Sequence, residues 1–534
     1  MRQPMKLTIC PLLLMSTLTL GCGSGASSAS GDETTDAATD TAADASPPDT
    51  GVDTAAPDVG TVARVLHPTH ALEDTSNNPS IPANLPPYVS GGYGDFEWLP
   101  GEPHTARTLD GSAVPAWGAN PKMLLRFVHL SDLQVADDES PARVADTDSK
   151  GQTNAALRPQ DAYMCQLLNA AVRTIDGLNK LVPIQFVVLG GDNVDSAQNN
   201  ELDWVLGILN GGHSVQCDSG VHDDLVPGPG NDPKDPFDPP GLDMPWWWVS
   251  GNHDELVQGN LMVGGTLAAA SPATGTFSTL GTRSYANAQH LGLIVHTGIV
   301  ADARREQMHT TTLMSRIAAM GDGHGIGAAQ VTRGKGYYHF DVDGTPLRFV
   351  VLDSAADTGG AGGIIHRADV DQFVKPALDE AKALGKSVIL VSHHAVSTLT
   401  SDGGTFGSTQ SDAMLADDWK SFVGAYGNVL FSMVGHNHAH DVNQIQPTTG
   451  APWWEVMTAS IADFPHQFRL IEIWDGDNGW LMLRATVVDL DMDGDAFGTE
   501  ARKLGIIDYT TGWSALREPG PPTKRNVELW ARKP

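Results

Sequence analysis

Five short clusters along the chain contain the side chains best able to bind metal ions or transfer protons. They are Asp132-Leu133-Gln134, Gly191-Asp192-Asn193-Val194-Asp195, Gly251-Asn252-His253-Asp254, His393-His394 and Gly435-His436-Asn437-His438. Mixed carboxylate, amide and imidazole ligands suit Mn, Fe, Zn or Ni better than calcium, without choosing among those four metals. A single such cluster is weak evidence, because isolated polar residues commonly satisfy local hydrogen bonds. Five in series favour a metal site.

Each cluster follows a short apolar run that is rich in β-branched residues, the pattern of a buried strand. We predict strands over 123–131, 184–190, 245–250, 346–353, 387–393 and 429–434. Helices are predicted over 159–181, 201–209 and 369–384, the last interrupted near Pro376, with a hairpin over 467–474 and 479–488 and a long surface loop over 218–244. Such alternation indicates a sheet covered by helices, in which ligands bind beyond the carboxyl ends of the strands. The five clusters are therefore expected to converge.

The series DxQ, GDxxD, GNHD, HH and GHxH resembles the calcineurin-like metallophosphoesterase superfamily, whose pattern is DxH, GDxxD, GNH followed by Asp or Glu, H, and GHxH. The match spans residues 123–438. The resemblance implies an α/β fold in which a β-sandwich of two mixed sheets is flanked by helices. It also implies metal-dependent hydrolysis of phosphate monoesters or diesters. The alternative is a surface-binding module of the same fold with weak or no turnover.

The resemblance further implies seven metal ligands around two divalent or trivalent ions. Asp192 would bridge the ions, Asp132, Gln134 and His438 would complete one position, and Asn252, His393 and His436 the other. His393 is preferred to His394 because the family places this ligand directly after the strand. Two ions held in this way can clamp phosphoryl oxygens and hold a bridging hydroxide for in-line attack.

Two more residues are implied to act beside the metals. His253 would protonate the leaving alkoxide or stabilise charge on the phosphoryl group, and Asp195 would orient that imidazole, unless it only caps a turn. Gln134 departs from the family pattern, which usually has histidine. A neutral amide oxygen binds more weakly than imidazole, so the ion there would be loosely held, different or absent. His129 should pack inside, since side chains alternate along a strand and it points away from Asp132.

Two interpretations are open for each of several other residues. Arg143, Arg158 and Arg367 could capture phosphate or simply face solvent. Asp489, Asp491, Asp493, Gly494 and Glu500 fit the spacing of a calcium-binding EF-hand loop, but a strand precedes them where a helix belongs, so an acidic turn is the alternative. Cys165 and Cys217 could form a disulfide or remain two buried thiols. Trp246–Trp248 are most simply core residues.

The first sixty residues differ in composition from the rest. Residues 1–21 have the basic start and apolar run of a signal peptide, and Gly21-Cys22 resembles a bacterial lipobox in which Cys22 is lipidated; simple secretion is the alternative. Residues 22–60 form an acidic tether that we expect to be disordered, and 61–120 an N-terminal extension. Residues 121–534 are assigned to the metallophosphoesterase domain with a C-terminal β-rich extension. We expect an exported protein, anchored by lipid to the outer membrane or cell surface.

The net charge restricts the partners. The chain carries a formal charge of -31, and residues from 61 onward keep about -25 once the acids of the tether and the two bases of the signal segment are left out. So acidic a body repels nucleic acid and anionic membrane surfaces. The expected partner is a small or exposed phosphate ester, and the membrane is reached only through the lipid anchor.

Overall fold

The computed structural model describes residues 59–150, 153, 155–220, 225–286, 291–514 and 519–534. The signal peptide, Cys22 and the tether up to residue 58 lie outside these residues, so their assignments stay predictions. The described residues, from 59 onward, belong to one compact unit. Among the described residues, no helix combines the length and the apolar character needed to cross a bilayer.

The strands form two large sheets and three two-stranded sheets within the described residues. They are β1 (Arg64–Pro68), β2 (Phe96–Pro100), β3 (Thr105–Thr108), β4 (Lys122–Leu130), β5 (Phe186–Leu189), β6 (Trp246–Trp247), β7 (Leu256–Val257), β8 (Leu261–Met262), β9 (Phe277–Ser284), β10 (Leu293–Thr297), β11 (Tyr338–Asp341), β12 (Leu347–Val351), β13 (Ser387–Val391), β14 (Val429–Val434), β15 (Asp441–Ile445), β16 (Trp453–Met457), β17 (Gln467–Asp475), β18 (Trp480–Asp489) and β19 (Val527–Arg532).

The α-helices of the described residues connect or cover these strands. They are α1 (Leu85–Ser90), α2 (Met164–Leu181), α3 (Asn199–Asn210), α4 (Asn252–Glu255), α5 (Thr310–Ala318), α6 (Ala328–Arg333), α7 (Arg367–Asp369), α8 (Lys375–Ala383), α9 (Ala416–Gly424), α10 (Ala496–Thr510) and α11 (Pro522–Arg525). A π-helical turn, Val370–Val374, joins α7 to α8. Pro376 lies in the first turn of α8, directly after the π-helical turn, so the helix changes from π to α near the predicted interruption.

Both large sheets are mixed. One has the strand order β3-β19-β18-β17-β4-β5-β6 and the other β11-β12-β13-β14-β16-β15. In the first, β4, β5 and β6 are parallel to one another, and β17 to β19 run antiparallel beside them. In the second, β12, β13, β14 and β16 are parallel. The predicted α/β fold of two mixed sheets flanked by helices is confirmed.

The two sheets face each other across one apolar core. Phe127 of β4 meets Phe349 of β12 edge to face, with ring centroids 5.3 Å apart, and both side chains are fully buried. Helices α2 and α3 cover the outer face of the first sheet, and α8 and α9 cover that of the second. Full burial of each large apolar side chain stabilises the fold by roughly 1.5–3 kcal/mol. The sandwich therefore fixes the ends of its central strands.

The extension before residue 121 is part of this sandwich. Strand β3 pairs in parallel with β19 and forms the edge of the seven-stranded sheet. Strand β6 is shorter than the predicted 245–250.

Cys165 of α2 and Cys217, which lies between α3 and β6, form a disulfide, the first of the two predicted alternatives.

The histidine beside this edge strand makes stability dependent on pH. His104 Nε2 lies 2.9 Å from Thr486 Oγ1 of β18, and burial lowers the pKa of His104 to about 4, with Arg484 adding to the shift. An unfolded histidine titrates near 6.5, so its neutral form contributes stability above that pH. This contribution should be lost as the pH falls from 6.5 toward 4, by up to about 1.4 kcal/mol per unit.

Urea denaturation of the wild type and of His104→Gln across this pH range measures the effect. The variant keeps a polar partner for Thr486 but cannot titrate. Its free energy of unfolding should fall less steeply with acidification, and equal slopes in the two proteins would contradict the assignment.

Candidate metal centre

The predicted ligands converge where the carboxyl ends of the two sheets meet. Asp132, Asp192 and Asn252 follow β4, β5 and β6, whereas the histidines follow β13 and β14 of the opposite sheet. Hydrogen bonds between the sheets fix this meeting: His393 Nδ1 donates to the carbonyl of Gly190 at 2.8 Å. The backbone N–H of His436 lies 3.1 Å from both carboxylate oxygens of Asp132. The parallel strands thus bring together residues that are up to three hundred positions apart.

The possible ligand atoms lie within coordination range of shared points. His393 Nε2 is 3.1 Å from Asp192 Oδ2 and 3.3 Å from His436 Nδ1. His438 Nε2 is 3.2 Å from Asp132 Oδ1. One ligand atom each from Asp132, Asp192 and His393 lies within 4.8 Å of the others. All of these side chains are buried except that of His436, which is partly exposed.

Asn252 gives an independent sign that a cation belongs here. Its Nδ2 donates to the carbonyl of Gly259 at 3.0 Å, but its buried Oδ1 has no hydrogen-bond partner. A buried acceptor without a donor is costly and calls for an ion or water. His393 donates from Nδ1 to Gly190, so its Nε2, 3.1 Å from Asp192 Oδ2, is the nitrogen that could bind a metal in place of a proton. The residues present therefore fit a metal ion.

The backbone at the site is held in a conformation that side chains rarely adopt. Positive φ angles occur at five of the seven predicted ligands: Asp132 (53°), Gln134 (39°), Asp192 (54°), His436 (72°) and His438 (56°). Such residues cost of order 1–3 kcal/mol each, and they persist where surrounding structure imposes them. A Cβ at Gly191 would lie 2.7 Å from His393 Nδ1, so only glycine permits this approach. These positive φ angles turn the ligands from the strand ends toward the centre.

The carboxylates of the centre stay ionised despite complete burial. Burial raises the pKa of Asp192, but the imidazoles of His393 and His253 lower it further, leaving it well below the usual value. In Asp132 the effect of burial is likewise outweighed by His438 and His393, so its pKa is lowered. Two buried negative charges that face each other are what a multivalent cation neutralises.

His394 lies beside the centre, yet its ring nitrogens are already engaged. Ligand atoms of His393, His394 and His436 could form a second group of metal ligands by distance alone. However, His394 Nε2 donates to the carbonyl of Ala361 at 3.0 Å, and its Nδ1 lies 2.9 Å from Ser354 Oγ. With both nitrogens in hydrogen bonds, His394 has no lone pair to offer, and His393 remains the ligand candidate.

His253 lies at the rim, with 14% of its side chain exposed. Its Nδ1 donates to the backbone carbonyl of Asp195 at 2.6 Å, and the Asp195 carboxylate stands 3.4 Å away. Asp195 therefore holds the imidazole chiefly through its carbonyl, while Arg143 and Gln258 hold its carboxylate at 2.6 and 2.7 Å. Burial lowers the pKa of His253, but Asp192 and Asp195 outweigh it and raise the pKa to about 9.

Gln134 contacts an arginine that the sequence did not connect with it. Its Oε1 accepts a hydrogen bond from Arg158 Nη2 at 2.5 Å. Arg158 Nε donates to Asp463 Oδ1 at 2.7 Å, and the other oxygen of Asp463 is 2.6 Å from His438 Nδ1. Asp463 thus orients His438, a role the sequence reading missed. Asp463 follows β16, which pairs in parallel with β14, the strand that precedes His438. Its position in the sequence could therefore have indicated this role.

The remaining sequence-predicted residues lie apart from the centre. Arg143 is buried against Asp195 and Asp161, so it does not face solvent or substrate. Arg367 is exposed and 3.5 Å from Asp418. His129 is buried with its Nδ1 2.7 Å from Thr458 Oγ1.

The proposed calcium ligands serve as turn and strand-end acids. Asp489 accepts from Gln467 at 2.6 Å, and Asp491 accepts from the N–H of Asp493 at 3.1 Å. Glu500 lies in α10, after the residue that caps it, Asp495. Within the described part of the chain, no group of metal-capable atoms includes these acids.

Comparisons with known proteins find solved structures that are distantly similar to this chain. No protein-family model and no curated protein matches the sequence. A purple acid phosphatase from yellow lupin (Lupinus luteus) seeds is 13% identical with a TM-score of 0.32, over 73% of this chain and 54% of that one. GAP50, the anchor in the inner membrane complex of Plasmodium, is 13% identical with a TM-score of 0.28, over 72% and 94%. A putative 5'-nucleotidase from Staphylococcus aureus is 10% identical with a TM-score of 0.30, over 72% and 58%.

The chain spans about half the length of the lupin phosphatase. Similarity this distant assigns no activity. The geometry of the centre carries the functional argument.

A glycine beside His253 tests the geometry of the centre. A Cβ at Gly259, whose φ is +62°, would lie 2.3 Å from His253 Cδ2 and 2.6 Å from Asn252 Nδ2. We expect Gly259→Ala to displace both side chains and to destabilise the fold by about 1–3 kcal/mol beyond the cost of the φ angle.

Gly264→Ala is the matched control, since Gly264 has a φ of +74° but its nearest neighbour would be 3.7 Å away. Thermal unfolding compares the two variants, and the NMR signals of the His253 ring report its displacement. Equal stability and an unmoved His253 resonance in both would show that the ring is not packed against Gly259.

Proposed function

We propose that this chain is a metal-dependent hydrolase of phosphate esters. The observation that carries the proposal is that the Asp132 and Asp192 carboxylates meet imidazole nitrogens of the opposite sheet at one buried place, and the buried Asn252 Oδ1 after β6 has no partner. Buried polar atoms normally have hydrogen-bond partners, whereas the buried Asn252 Oδ1 has none. A bound cation would supply the partner that this cluster of side chains lacks.

A divalent ion bound there would act as a Lewis acid on a phosphoryl oxygen and lower the pKa of water for attack. The protein's own part is to hold the ligands before substrate arrives. Asp192 accepts the backbone N–H of His253 at 2.8 Å, so the metal ligand and the imidazole are fixed to each other. With its Nδ1 held by the Asp195 carbonyl, His253 keeps Nε2 as the nitrogen that can donate a proton to a leaving alkoxide.

The acidic body narrows the substrate. The formal charge of about -25 on residues from 61 onward disfavours nucleic acids, so a small ester or one exposed on a larger molecule is the better fit. The metal core is common to monoester and diester hydrolysis. A panel of nucleotides, cyclic nucleotides, phospholipid head groups and phosphoproteins with defined metals would separate them.

Turnover and metal content together test the proposed function. Protein loaded with Mn or Zn should hydrolyse p-nitrophenyl phosphate or its bis-ester, and Asn252→Ala should lose both activity and bound metal. His253→Gln should lower kcat by about 10²- to 10⁴-fold, the usual contribution of a general acid, while keeping its metal.

His339→Gln is the control, because His339 lies in β11 beside Glu380 and outside the centre. If no ester is hydrolysed with any metal while Asn252→Ala binds metal as the wild type does, the chain is not such an enzyme. The surface-binding module would then be the better account.

We also propose that the protein is exported and anchored through Cys22. The lipobox-like Gly21-Cys22 supports this, and the Cys165–Cys217 disulfide fits an oxidising compartment. In a bacterium that processes lipoproteins, the wild type should incorporate labelled palmitate and sediment with membranes. Cys22→Ser should lose the label and appear in the soluble exported fraction. An unlabelled wild type, or Cys22→Ser in the same membrane fraction, would contradict the anchor.

A further inference from the structure

The two halves of the metal centre differ in how far their polar atoms are already satisfied. In the half made by Asp132, Gln134 and His438, the amide oxygen of Gln134 accepts from Arg158. There Asp132 also accepts from Ser131 Oγ at 2.6 Å and from the N–H of His436. In the other half, the oxygen of Asn252 is buried and has no partner. The amide oxygens of the two halves therefore differ, because that of Gln134 has a donor and that of Asn252 has none.

Arg158 is fixed in place by several contacts. Its side chain is 0% exposed, Nε donates to Asp463 at 2.7 Å, and its backbone N–H donates to Asp161 at 2.9 Å. A guanidinium has five N–H donors and no acceptor, and it stays charged in proteins. Burial lowers the pKa of Arg158, but Asp463 and Asp161 outweigh it, so the pKa is raised further above its ordinary value.

A metal ion coordinated by Gln134 would therefore lie beside a permanent positive charge. The Oε1 that would face the ion is 2.5 Å from Arg158 Nη2, and the pair is shielded from solvent. Like charges so close repel strongly where water does not screen them. The nearest basic groups of the other half, His393 and His436, are imidazoles, which become neutral when they bind a metal. The Arg158 guanidinium cannot lose its charge in this way.

We infer that the Arg158 guanidinium takes the place of the second cation, so the chain binds one metal ion tightly through Asp192, Asn252, His393 and His436. The inference rests on the proposed function, because it concerns the same centre. It also gives Arg158 a role that differs from phosphate capture: the residue supplies charge to the centre without touching substrate. His438 then belongs with Asp463 and Arg158 in a network that positions Asp132.

Metal stoichiometry tests this in the full-length protein. Metal-free wild type titrated with Mn²⁺ by calorimetry should show one tight site, with any second site at least about 100-fold weaker, the upper range for outer groups that tune metal affinity. The electron paramagnetic resonance spectrum of the loaded protein should be that of isolated Mn²⁺. Two sites of equal affinity, or the spectrum of a spin-coupled pair, would overturn the inference while leaving the proposed function intact.

Two arginine variants separate charge from packing. Arg158→Gln removes the charge but can still donate to Gln134, and it should gain a second Mn²⁺ site or strengthen the weak one by about 10- to 100-fold. Arg158→Lys keeps the charge and should stay at one ion. Arg283→Gln is the matched control, because Arg283 is also buried and donates to the carbonyl of Arg158 at 2.7 Å without contacting Gln134.

The outcomes remain distinct if a variant misfolds. Circular dichroism shows whether Arg158→Gln is folded, and the wild-type spectrum decides the number of ions without it. A folded Arg158→Gln that still binds one ion, like Arg283→Gln, would overturn the role of the charge. A wild type that binds no ion at all would instead remove the proposed function.

Discussion

The structure depends on a chain of buried ion pairs beside the metal centre. Asp161 lies between two arginines: Arg143 donates to it at 2.9 Å, and so does the backbone N–H of Arg158. Removing such charges from water costs several kcal/mol per ion, which is offset only when each charge has its partners in place. Loss of one member would leave the next charge buried and uncompensated. The loop after β4 can therefore adopt only the arrangement in which every pair is made.

The same network joins the two chemical parts of the site. From Asp161 it runs through Arg143 to Asp195, whose carbonyl holds His253. In the other direction it runs through Arg158 to Asp463, which holds His438. The imidazole of His253 and the imidazole of His438, which lies beside Asp132, are thus positioned by one set of charges. Fixed ligands of this kind need little rearrangement when a cation or a substrate arrives, which is the condition for electrostatic catalysis.

Local sequence patterns predicted the part of this arrangement that local physics determines. The apolar runs of β13 and β14 are buried throughout and that of β4 over its last four residues, so the bounds of these strands were right to within one or two residues. Only the family resemblance predicted the β-sandwich, because hydrophobic periodicity cannot show which strands face each other. The sequence predicted phosphate capture or solvent exposure for Arg158, but the side chain is buried. Its contacts with Gln134 and Asp463 span 24 and 305 residues, and nothing local distinguishes a buried arginine from an exposed one.

The charge distribution also constrains what can enter the centre. An acidic body concentrates cations near its surface and repels phosphate anions, so the unliganded centre attracts metal and disfavours substrate. In the proposed one-ion centre, a divalent ion, the fixed charge of Arg158 and a protonated His253 would together reverse the local sign. Substrate affinity would then be gained only after metal has bound. Because the arginine keeps its charge, its part of that reversal would be built into the fold, and metal supply would control the rest.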